Sequence, residues 1–261
     1  MVGYESNSLD GAAAPLDYEG RTLDCQNCQV RAEAQQSECS LGHACAHDRY
    51  APRIWRFFRQ NPQHAKAWLK HPYFETRAIA AHYASEFVLT PLLNDPDEAV
   101  RRVVAERLPQ RLLRRLLKDP HREVRIRVAQ RLQASDLPEL CHDPDYYVRL
   151  VVAGRIPQAF LVRMTRDPDT QVRMTVARRL PVNALHLLSS DNEACVRRLV
   201  AQRAPDHLLT SLAHDREWIV RWEVANRARE SLAQQLAQDE HEEVSLAARQ
   251  RILQLHVGEQ H

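Results

Sequence analysis

The feature that most constrains this chain is an aspartate that recurs every twenty-four positions. The series consists of Asp95, Asp119, Asp143, Asp167, Asp191, Asp215 and Asp239. A valine stands five residues after every member, and a valine–alanine pair begins nine residues after the first six. Repeats of about 20 to 50 residues are units that bury their apolar faces only against each other, so this period outranks local propensities. The sequence therefore predicts a solenoid.

Each unit opens with the signals of a helix. The aspartate can accept hydrogen bonds from the free N–H groups of a first turn, and the proline that follows at positions 96, 120, 144 and 168 suits the first helical residue. The apolar residues five, nine and thirteen positions after the aspartate share one helical face. A proline directly after the thirteenth position ends the helix in four units. We expect an α-helix of about three turns.

The remaining ten or so residues of each unit carry apolar side chains whose spacing suits a short 3₁₀ turn. No alternating strand pattern occurs, so we expect an all-α solenoid with two helical layers. The boundaries that we expect are a loose N-terminus at 1–20, a cysteine-rich domain at 21–50, an aromatic junction at 51–70, about eight repeat units at 71–253 and a C-terminal tail at 254–261.

The composition and the apolar pattern argue against a disordered chain and against a membrane-spanning one. With 261 residues, 44% apolar and 27% charged, the chain can bury a substantial core and is not disordered. No apolar stretch of about 18 residues is present, so we expect no membrane span. The N-terminus lacks the basic start and apolar run of a secretory signal. We expect a cytoplasmic protein, in which cysteines are more often ligands than disulfides.

Four of the six cysteines fall within one short segment and form a candidate metal site: Cys25, Cys28, Cys39 and Cys45. The first two can present thiolates from one turn, a short helix from Gln29 to Glu38 could return the third, and Gly42 permits a sharp turn before the fourth. Zinc sites with four cysteines usually use two short pairs, and the dense ferredoxin run that ends in Cys-Pro is missing. Spacing alone leaves zinc, an iron–sulfur cluster, and disulfides or free thiols open, with zinc favoured.

The other candidate ligands are weaker. His43 and His47 flank Cys45 and could complete a mixed ligand set, but two exposed loop histidines are the simpler interpretation. Cys141 and Cys195 are expected to be packed free thiols.

The cysteine segment and the repeats together resemble the leucine-rich repeat variant proteins. The motif that carries the resemblance reads Asp-Pro-x-x-x-Val-Arg-x-x-Val-Ala-x-Arg-Leu-Pro, and with the cysteines it covers the chain from about Cys25 to the last repeat. The resemblance implies a right-handed superhelix of alternating α- and 3₁₀-helices and a [4Fe-4S] cluster in the N-terminal domain. By position, its ligands would be Cys25, Cys28, Cys39 and Cys45. It implies no established reaction.

The chain departs from the family pattern at its ends. His71 stands where aspartate is expected, and Ser245 replaces an arginine. The repeat proline is replaced by Asn192, Arg216 and Glu240. These departures concern the ends of the array and not its core.

Nine of the sixteen aromatic residues lie between Tyr50 and Phe87. They could stack nucleic-acid bases, but a solenoid end must be covered, so we interpret them as a core that docks the cysteine domain on the first repeat. The group includes Trp55, Phe57, Phe58, Trp68, Tyr73 and Phe74.

Two arginine columns run through the repeats. The first is Arg77, Arg101, Arg125, Arg149, Arg173, Arg197 and Arg221. The second is Arg107, Arg131, Arg155, Arg179, Arg203, Arg227 and Arg251. A nucleic-acid track is one interpretation, but residues 51–261 carry only 33 basic against 26 acidic groups. The first column also falls beside the buried face, so we favour a structural ladder to the aspartates or to helix-end carbonyls.

Two surface features remain candidates for binding. The basic group at Arg111, Arg114, Arg115, Lys118 and Arg122 could meet an acidic partner. The position seven residues after the aspartate carries Ile126, Leu150 and Met174, which could form an apolar stripe, although contact with the adjacent layer is the simpler expectation.

We expect a binding scaffold for a protein partner, with a structural or redox-sensing cluster. The alternatives are a nucleic-acid-binding solenoid and an electron-transfer partner of a redox enzyme. The sequence contains none of the common catalytic motifs, so we do not expect an enzyme acting by itself.

Overall fold

The computed structural model describes residues 14–26, 28, 30, 31 and 39–258. Most of the N-terminus expected to be loose, and most of the short helix expected between Gln29 and Glu38, lie outside the described residues. The chain forms two compact units, Met1–Leu132 and Gln133–His261. The described residues form helices and turns, with two isolated β-bridges and no strand. No described helix has both the length and the apolarity needed to cross a bilayer.

In the first unit, α-helices alternate with shorter 3₁₀ segments. Its α-helices are α1 (Ala51–Gln60), α2 (Phe74–Tyr83), α3 (Glu98–Arg107), α4 (Gln110–Leu113) and α5 (Arg122–Arg131). Its 3₁₀ segments are Pro62–Lys70, Glu86–Val88, Thr90–Asn94 and Arg114–Leu116.

The second unit begins with the same alternation and ends with five consecutive α-helices. Its α-helices are α6 (Tyr146–Arg155), α7 (Thr170–Arg179), α8 (Ala194–Ala201), α9 (Asp206–Leu212), α10 (Trp218–Ala225), α11 (Glu230–Leu236) and α12 (Glu242–Gly258). Its 3₁₀ segments are Ala134–Leu140, Gln158–Met164 and Val182–Leu188.

The second layer of the repeats is 3₁₀ as expected in all three of those segments, but α-helical in α9 and α11. In these two repeats the preceding α-helix has 8 residues instead of the 10 of α7. Each α-helical segment has an acid in its first turn, Asp206 or Glu230, which favours the positive end of an α-helix. The last helix, α12, runs past residue 253, where we expected the repeats to end, because Leu253 stands where most other units have proline.

The expected inward face is confirmed. The valine five residues after each of the first six repeat aspartates is fully buried, and so is the valine four residues later. In the first four repeats the leucine or isoleucine after a further four residues is fully buried as well. The first set consists of Val100, Val124, Val148, Val172, Val196 and Val220. Side chains spaced by four stack along one side of a helix, so successive helices share a continuous apolar core within each unit.

The expected N-cap was wrong by two residues. Asp95 does not cap α3; its Oδ1 accepts the N–H of Asp97 at 2.9 Å, and Asp97 is the N-cap, accepting the N–H of Ala99 at 2.9 Å. Asp145 and Asp169 cap α6 and α7 in the same way. The repeat aspartate precedes the cap because its carboxylate also binds an arginine from the preceding repeat.

That arginine belongs to the first column, and its role as a structural ladder is confirmed. Arg101 donates from Nε and Nη2 to the two carboxylate oxygens of Asp119 at 2.7 and 3.1 Å. Its Nη1 donates to the carbonyls of Asp95 and Pro96, at the end of the preceding 3₁₀ turn. The same paired contact joins Arg77 to Asp95, Arg149 to Asp167, Arg173 to Asp191, Arg197 to Asp215 and Arg221 to Asp239.

The second column binds helix ends, a role that the sequence analysis did not separate from the first. Arg131 donates to the carbonyls of Ala105 and Leu108, at the C-terminus of α3. Arg107, Arg179, Arg203, Arg227 and Arg251 donate to the equivalent carbonyls of the repeat before. A guanidinium at this position satisfies free carbonyls and complements the negative end of the helix dipole.

Candidate metal centre

The chain approaches the first two cysteines through a tight turn. An antiparallel bridge joins Leu16 to Thr22, and Asp17 Oδ1 accepts the N–H groups of Glu19 and Arg21 at 2.9 and 2.8 Å. Gly20 closes this turn with a φ of +85°, a conformation that costs glycine little. The turn fixes the entry of the segment that contains Cys25 and Cys28.

A second turn brings the other two cysteines close together. Ser40 and Ala44 form an antiparallel bridge, and Gly42 lies between them with a φ of +75°. The expectation that Gly42 permits a sharp turn is confirmed. Cys39 and Cys45 directly flank this bridge, so the turn brings the two residues near each other.

Cys45 is the most firmly held of the four. It is buried between Ala44 and Ala46, and its N–H donates to the carbonyl of Arg53 at 3.2 Å. Burial raises the pKa of its thiol to about 12, and the backbone N–H groups of His47 and Asp48 act in the opposite direction by hydrogen-bonding to the sulfur. Hydrogen bonds to cysteine sulfurs are one of the means by which proteins tune iron–sulfur clusters.

The other three thiols are partly exposed and lie near each other. Burial raises the pKa of Cys39, and the neighbouring thiols of Cys28 and Cys25 raise it further. Cys39 in turn contributes to the raised pKa of Cys45. The structure therefore brings all four predicted ligands into one electrostatic neighbourhood. Beside Cys25 and Cys28 opens a cleft of about 490 Å³ that Gln26 and Arg31 also line.

The donor set fits an iron–sulfur cluster. Among the described residues, no three His, Cys, Asp or Glu side chains converge closely enough to hold a single metal ion. Four cysteine thiolates are the ligand set of a cubane, in which each cysteine binds a different iron. The sequence supplies four cysteines of this kind, two beside the cleft and two at the turn around Gly42.

The two histidines of the segment differ from each other. His43 is exposed, as expected for a loop residue. His47 is half-buried, and its ring packs edge-on against Trp68 with 4.6 Å between centroids, so the expectation of an exposed loop histidine was wrong for this residue. Burial lowers the pKa of His47.

A buried ion pair joins the residues just after Cys45 to the first turn of α1. Arg53 Nη1 lies 3.0 Å from Asp48 Oδ2, and both side chains are almost inaccessible. This pair was not predicted from the sequence, although Arg53 stands one repeat interval before Arg77 and so extends the first column. His71 occupies the place of the aspartate that such an arginine would bind, so Arg53 pairs with Asp48 instead.

The same segment makes direct contacts with α2. The Thr76 hydroxyl donates to the carbonyl of Ala46 at 3.3 Å, and the Tyr73 hydroxyl donates to that of Arg49 at 3.2 Å. His71 Nδ1 accepts the N–H of Tyr73 at 3.2 Å, as a repeat aspartate does in later units. These bonds fasten the cysteine segment to the first repeat.

The aromatic junction is a core, as expected, but not in all its members. Phe57 and Phe58 are fully buried, and Trp68 is 8% exposed. Trp55 is 38% exposed and packs on the rings of His82 and Tyr83 at one edge. Phe87 is 81% exposed and contributes nothing to this core.

The remaining cysteines diverge from expectation in one case. Cys141 is a buried free thiol, as expected. Cys195 is exposed, because its position four residues after the repeat aspartate lies on the outer face of the helix.

The repeats and the cysteine segment together define a class, that of helical repeat proteins with an N-terminal iron–sulfur domain. Residues 15–67 match the family described as LRV protein FeS4 cluster. A solved structure, described as a leucine-rich repeat variant with a novel repetitive protein structural motif, is 43% identical, with a TM-score of 0.80. The match covers 87% of this chain and 98% of that one. The chain therefore belongs to the leucine-rich repeat variant family, and its cofactor is an iron–sulfur cluster.

A curated relative is also similar over part of its length. The uncharacterized 27.7 kDa protein in the nifB 3′ region of Rhodobacter capsulatus is 49% identical over 94 residues. The match spans 36% of this chain and 38% of that protein, so the chain matches less than two-fifths of the relative's length.

Proposed function

We propose that this protein is a protein-binding scaffold in which a [4Fe-4S] cluster, held by Cys25, Cys28, Cys39 and Cys45, closes the first end of the repeat array. The closure then depends on the redox state of the cell, because an iron–sulfur cluster when bound accepts and donates electrons at a potential that its surroundings set. The scaffold works in a reducing cytoplasm, where the thiols stay free.

The observation that carries this proposal is the unequal anchoring of the four cysteines. Cys45 lies in the buried segment that is hydrogen-bonded to α1 and α2, whereas Cys25 and Cys28 lie in an outer loop. Ligation by all four would tie the loop to the end of the array. In the described residues before Cys25, the Leu16 carbonyl accepts the N–H of Arg49 at 2.9 Å and the Tyr18 ring stacks on that of Tyr73.

The ladder contacts argue against the nucleic-acid alternative. A track for phosphates needs guanidinium groups that face solvent, yet all seven arginines of the first column and at least six of the seven of the second donate to carboxylates or carbonyls of the chain itself. Part of the basic group near Arg111 is also engaged, since Arg122 lies 3.3 Å from Glu123. A protein partner is the better supported ligand.

Two further alternatives have less support. An electron carrier for a redox enzyme would need a second redox centre within reach, and the sequence offers no motif for one. Structural zinc would draw four sulfurs to within about 3.8 Å of each other, since Zn–S bonds measure about 2.3 Å. We propose no catalytic activity for this chain alone.

Metal analysis and electron paramagnetic resonance of anaerobically purified protein test the cluster. We expect about four irons per chain and a resonance that appears or disappears on reduction, as for a cubane bound by four cysteines. One zinc per chain with no iron would contradict the ligand assignment.

Limited proteolysis tests the closure. After removal of iron by an anaerobic chelator, we expect cleavage between Arg21 and Arg49 to accelerate while α3 and later helices stay resistant. The control is the Cys195→Ser variant, which should behave as the unmodified protein does. Equal resistance with and without iron would show that the cluster does not hold the loop.

A further inference from the structure

The outer faces of the helices differ between the two units. At about 100° per residue, the positions four, seven, eight and eleven residues after the repeat aspartate point away from the buried valines. In the first unit these positions of α3 and α5 hold a small charge network. Arg102 and Arg127 each lie 3.0 Å from Glu106.

This network covers the apolar side chains beneath it. Val103 and Ile126 occupy outer positions of α3 and α5, yet they are only 7% and 4% exposed. Long charged side chains commonly bury their methylene stems over apolar surface in this way. The outer face of the first unit is therefore complete by itself.

The corresponding face of α6, α7 and α8 lacks such a cover. We call it the acid-free face, because these three helices contain no aspartate or glutamate. Its members are Tyr147, Leu150, Val151, Gly154, Gln171, Met174, Thr175, Arg178, Cys195, Arg198 and Leu199. None of them is buried; Leu150, Val151, Met174 and Leu199 are half-exposed.

Gly154 marks the centre of the difference. It occupies the position that Glu106 holds in α3 and Gln130 in α5. A Cβ added at Gly154 would meet no atom within 4 Å, and its φ is not positive, so neither packing within the chain nor the backbone requires glycine. Gly154 lies in the last turn of α6, where its low helix propensity brings no benefit, and its lack of a side chain leaves the surface beside Leu150 and Val151 open.

The charges on the face are positive. Arg178 makes no ion pair with any described residue, and no acid from α6, α7 or α8 is available to it. At the far edge, Arg198 lies 3.2 Å from Glu223 of α10 and stacks over the Trp222 ring, so the acid-free face ends there. An apolar surface with an unmatched arginine calls for a partner that is apolar and acidic.

We propose that the acid-free face binds one amphipathic helix of a separate protein, with a bulky apolar side chain over Gly154 and acidic side chains toward Arg178. Helices pack about 8–10 Å apart, so three adjacent ones span about 20 Å between their outer axes, which about 14 residues of a bound helix would match at 1.5 Å per residue. Insertion of such a helix into an apolar groove is a common mode of recognition. The inference rests on the proposed scaffold function and names its partner class.

A second copy of this chain is a less suitable occupant. The exposed leucines of α12, Leu246 and Leu253, offer an apolar helix with acids at its start. Docking α12 of one molecule on the acid-free face of another would join different surfaces, and such head-to-tail contacts continue into open polymers unless they close as a ring. A separate partner avoids this.

The test uses the full-length, cluster-containing protein and a fluorescein-labelled synthetic helix of five turns, with leucines along one side and glutamates on its flanks. A matched peptide carries lysines in place of the glutamates. Fluorescence anisotropy should show tighter binding of the acidic peptide. Gly154→Glu should weaken that binding by at least about tenfold, the effect of losing one central interface contact. Arg178→Glu should weaken the binding of the acidic peptide and strengthen the binding of the basic one.

Matched variants make the result specific. Gly154→Ala fills little of the opening and should stay within about threefold of the unmodified affinity, and Gln130→Glu places the same new charge at the same repeat position of α5 and should have no effect. Circular dichroism and iron content establish that each variant is folded and loaded.

Several outcomes would overturn the inference. They are equal affinity for both peptides, no binding of the acidic one, equal weakening by Gln130→Glu, or a dimer in sedimentation that Gly154→Glu abolishes. Since iron content is measured in parallel, failure of peptide binding on protein with its full iron content would leave the proposed cluster standing. Absence of iron would contradict the proposed function whatever the peptide does.

Discussion

The repeats and the cysteine segment are stabilised in opposite ways. In each repeat the same three contacts recur: buried valines, an arginine–aspartate pair, and an arginine on helix-end carbonyls. In the cysteine segment every contact occurs once, from the Asp48–Arg53 pair to the bond between Thr76 and Ala46. A lost contact in a repeat can be compared with its copies, whereas a lost contact in the segment has no substitute.

Arg53 shows how the two designs meet. By position it is a ladder arginine, and by contact it belongs to the cysteine segment, since its side chain pairs with Asp48 and its carbonyl accepts the N–H of Cys45. At the other end, Ser245 replaces the ladder arginine, and its hydroxyl donates to the carbonyl of Ala237 at 2.8 Å. At each end of the array, the ladder therefore stops where the side chain at the arginine position bonds to a group nearby and not to the aspartate of the next repeat.

The largest effect is expected from a charge in the repeat core. Val128→Asp places a carboxylate at a fully buried position of α5 and should lower the free energy of unfolding by more than about 4 kcal/mol, because no partner is near. Denaturant titration followed by circular dichroism measures it. The control is Gln130→Asp, which introduces the same carboxylate at an exposed position of the same helix. A midpoint unchanged by Val128→Asp would show that the inward face is misassigned.

A somewhat smaller loss is expected from breaking one ladder pair. Asp119→Ala leaves the Arg101 guanidinium without its carboxylate in a nearly buried site, which should cost about 3 kcal/mol. Removing Glu106, whose two arginine pairs are part-exposed, should cost less than about 1 kcal/mol. If both substitutions cost the same, the ladder is no more important than a surface pair.

The period explains why so much of the repeat fold could be predicted. Val100 and Val124 recur at a spacing that only a helix places on one face, and Arg101 lies beside that face, so both burial and pairing follow from position. The location of the N-cap could not be predicted, because Asp95 and Asp97 are both good caps and only the pairing of the repeat aspartates with arginine assigns the role to Asp97. The α-helical second layers of the last repeats also carried no periodic signal.

The candidate site was less predictable because nothing in it repeats. The four cysteines stand out by density, yet their spacing left zinc and iron–sulfur both open, and the family match decided between them. The burial of His47 against Trp68 depends on a contact between residues that no sequence period relates. The Asp48–Arg53 pair had a usable signal, since Arg53 continues the arginine column one unit earlier.

Acid should act on the ladder before the apolar core. The hydrogen bond from Arg221 holds the pKa of Asp239 below its ordinary 3.8. Burial raises the pKa of Asp215, but Arg197, the N–H of Glu217 and the charge of Arg216 together bring it below its ordinary value. A carboxyl with a lowered folded pKa contributes stability that is complete above its unfolded pKa and is lost as pH falls through the folded value. The stability that these two carboxyls contribute should therefore be complete above about pH 5 and be lost as pH falls below about pH 4.

The check is denaturant titration at a series of pH values. Asp239→Asn should show a shallower fall than the unmodified protein, because one proton-linked group has been removed. Stability that declines equally in both would assign the acid sensitivity to other carboxyls.

The smallest effect on the fold is expected from the cysteine segment. Cys39→Ser should abolish the cluster, since three thiolates cannot complete a four-cysteine ligand set, yet the repeat helices depend on valines and ladder pairs that the substitution does not touch. Iron content should fall to background while the helical circular dichroism and the midpoint of the repeats change little. Cys141→Ala and Cys195→Ser, in the repeats, should keep the full iron content. Collapse of the helical signal in Cys39→Ser would mean that the repeats cannot fold without the closed end, so that the cysteine segment controls the folding of the repeats.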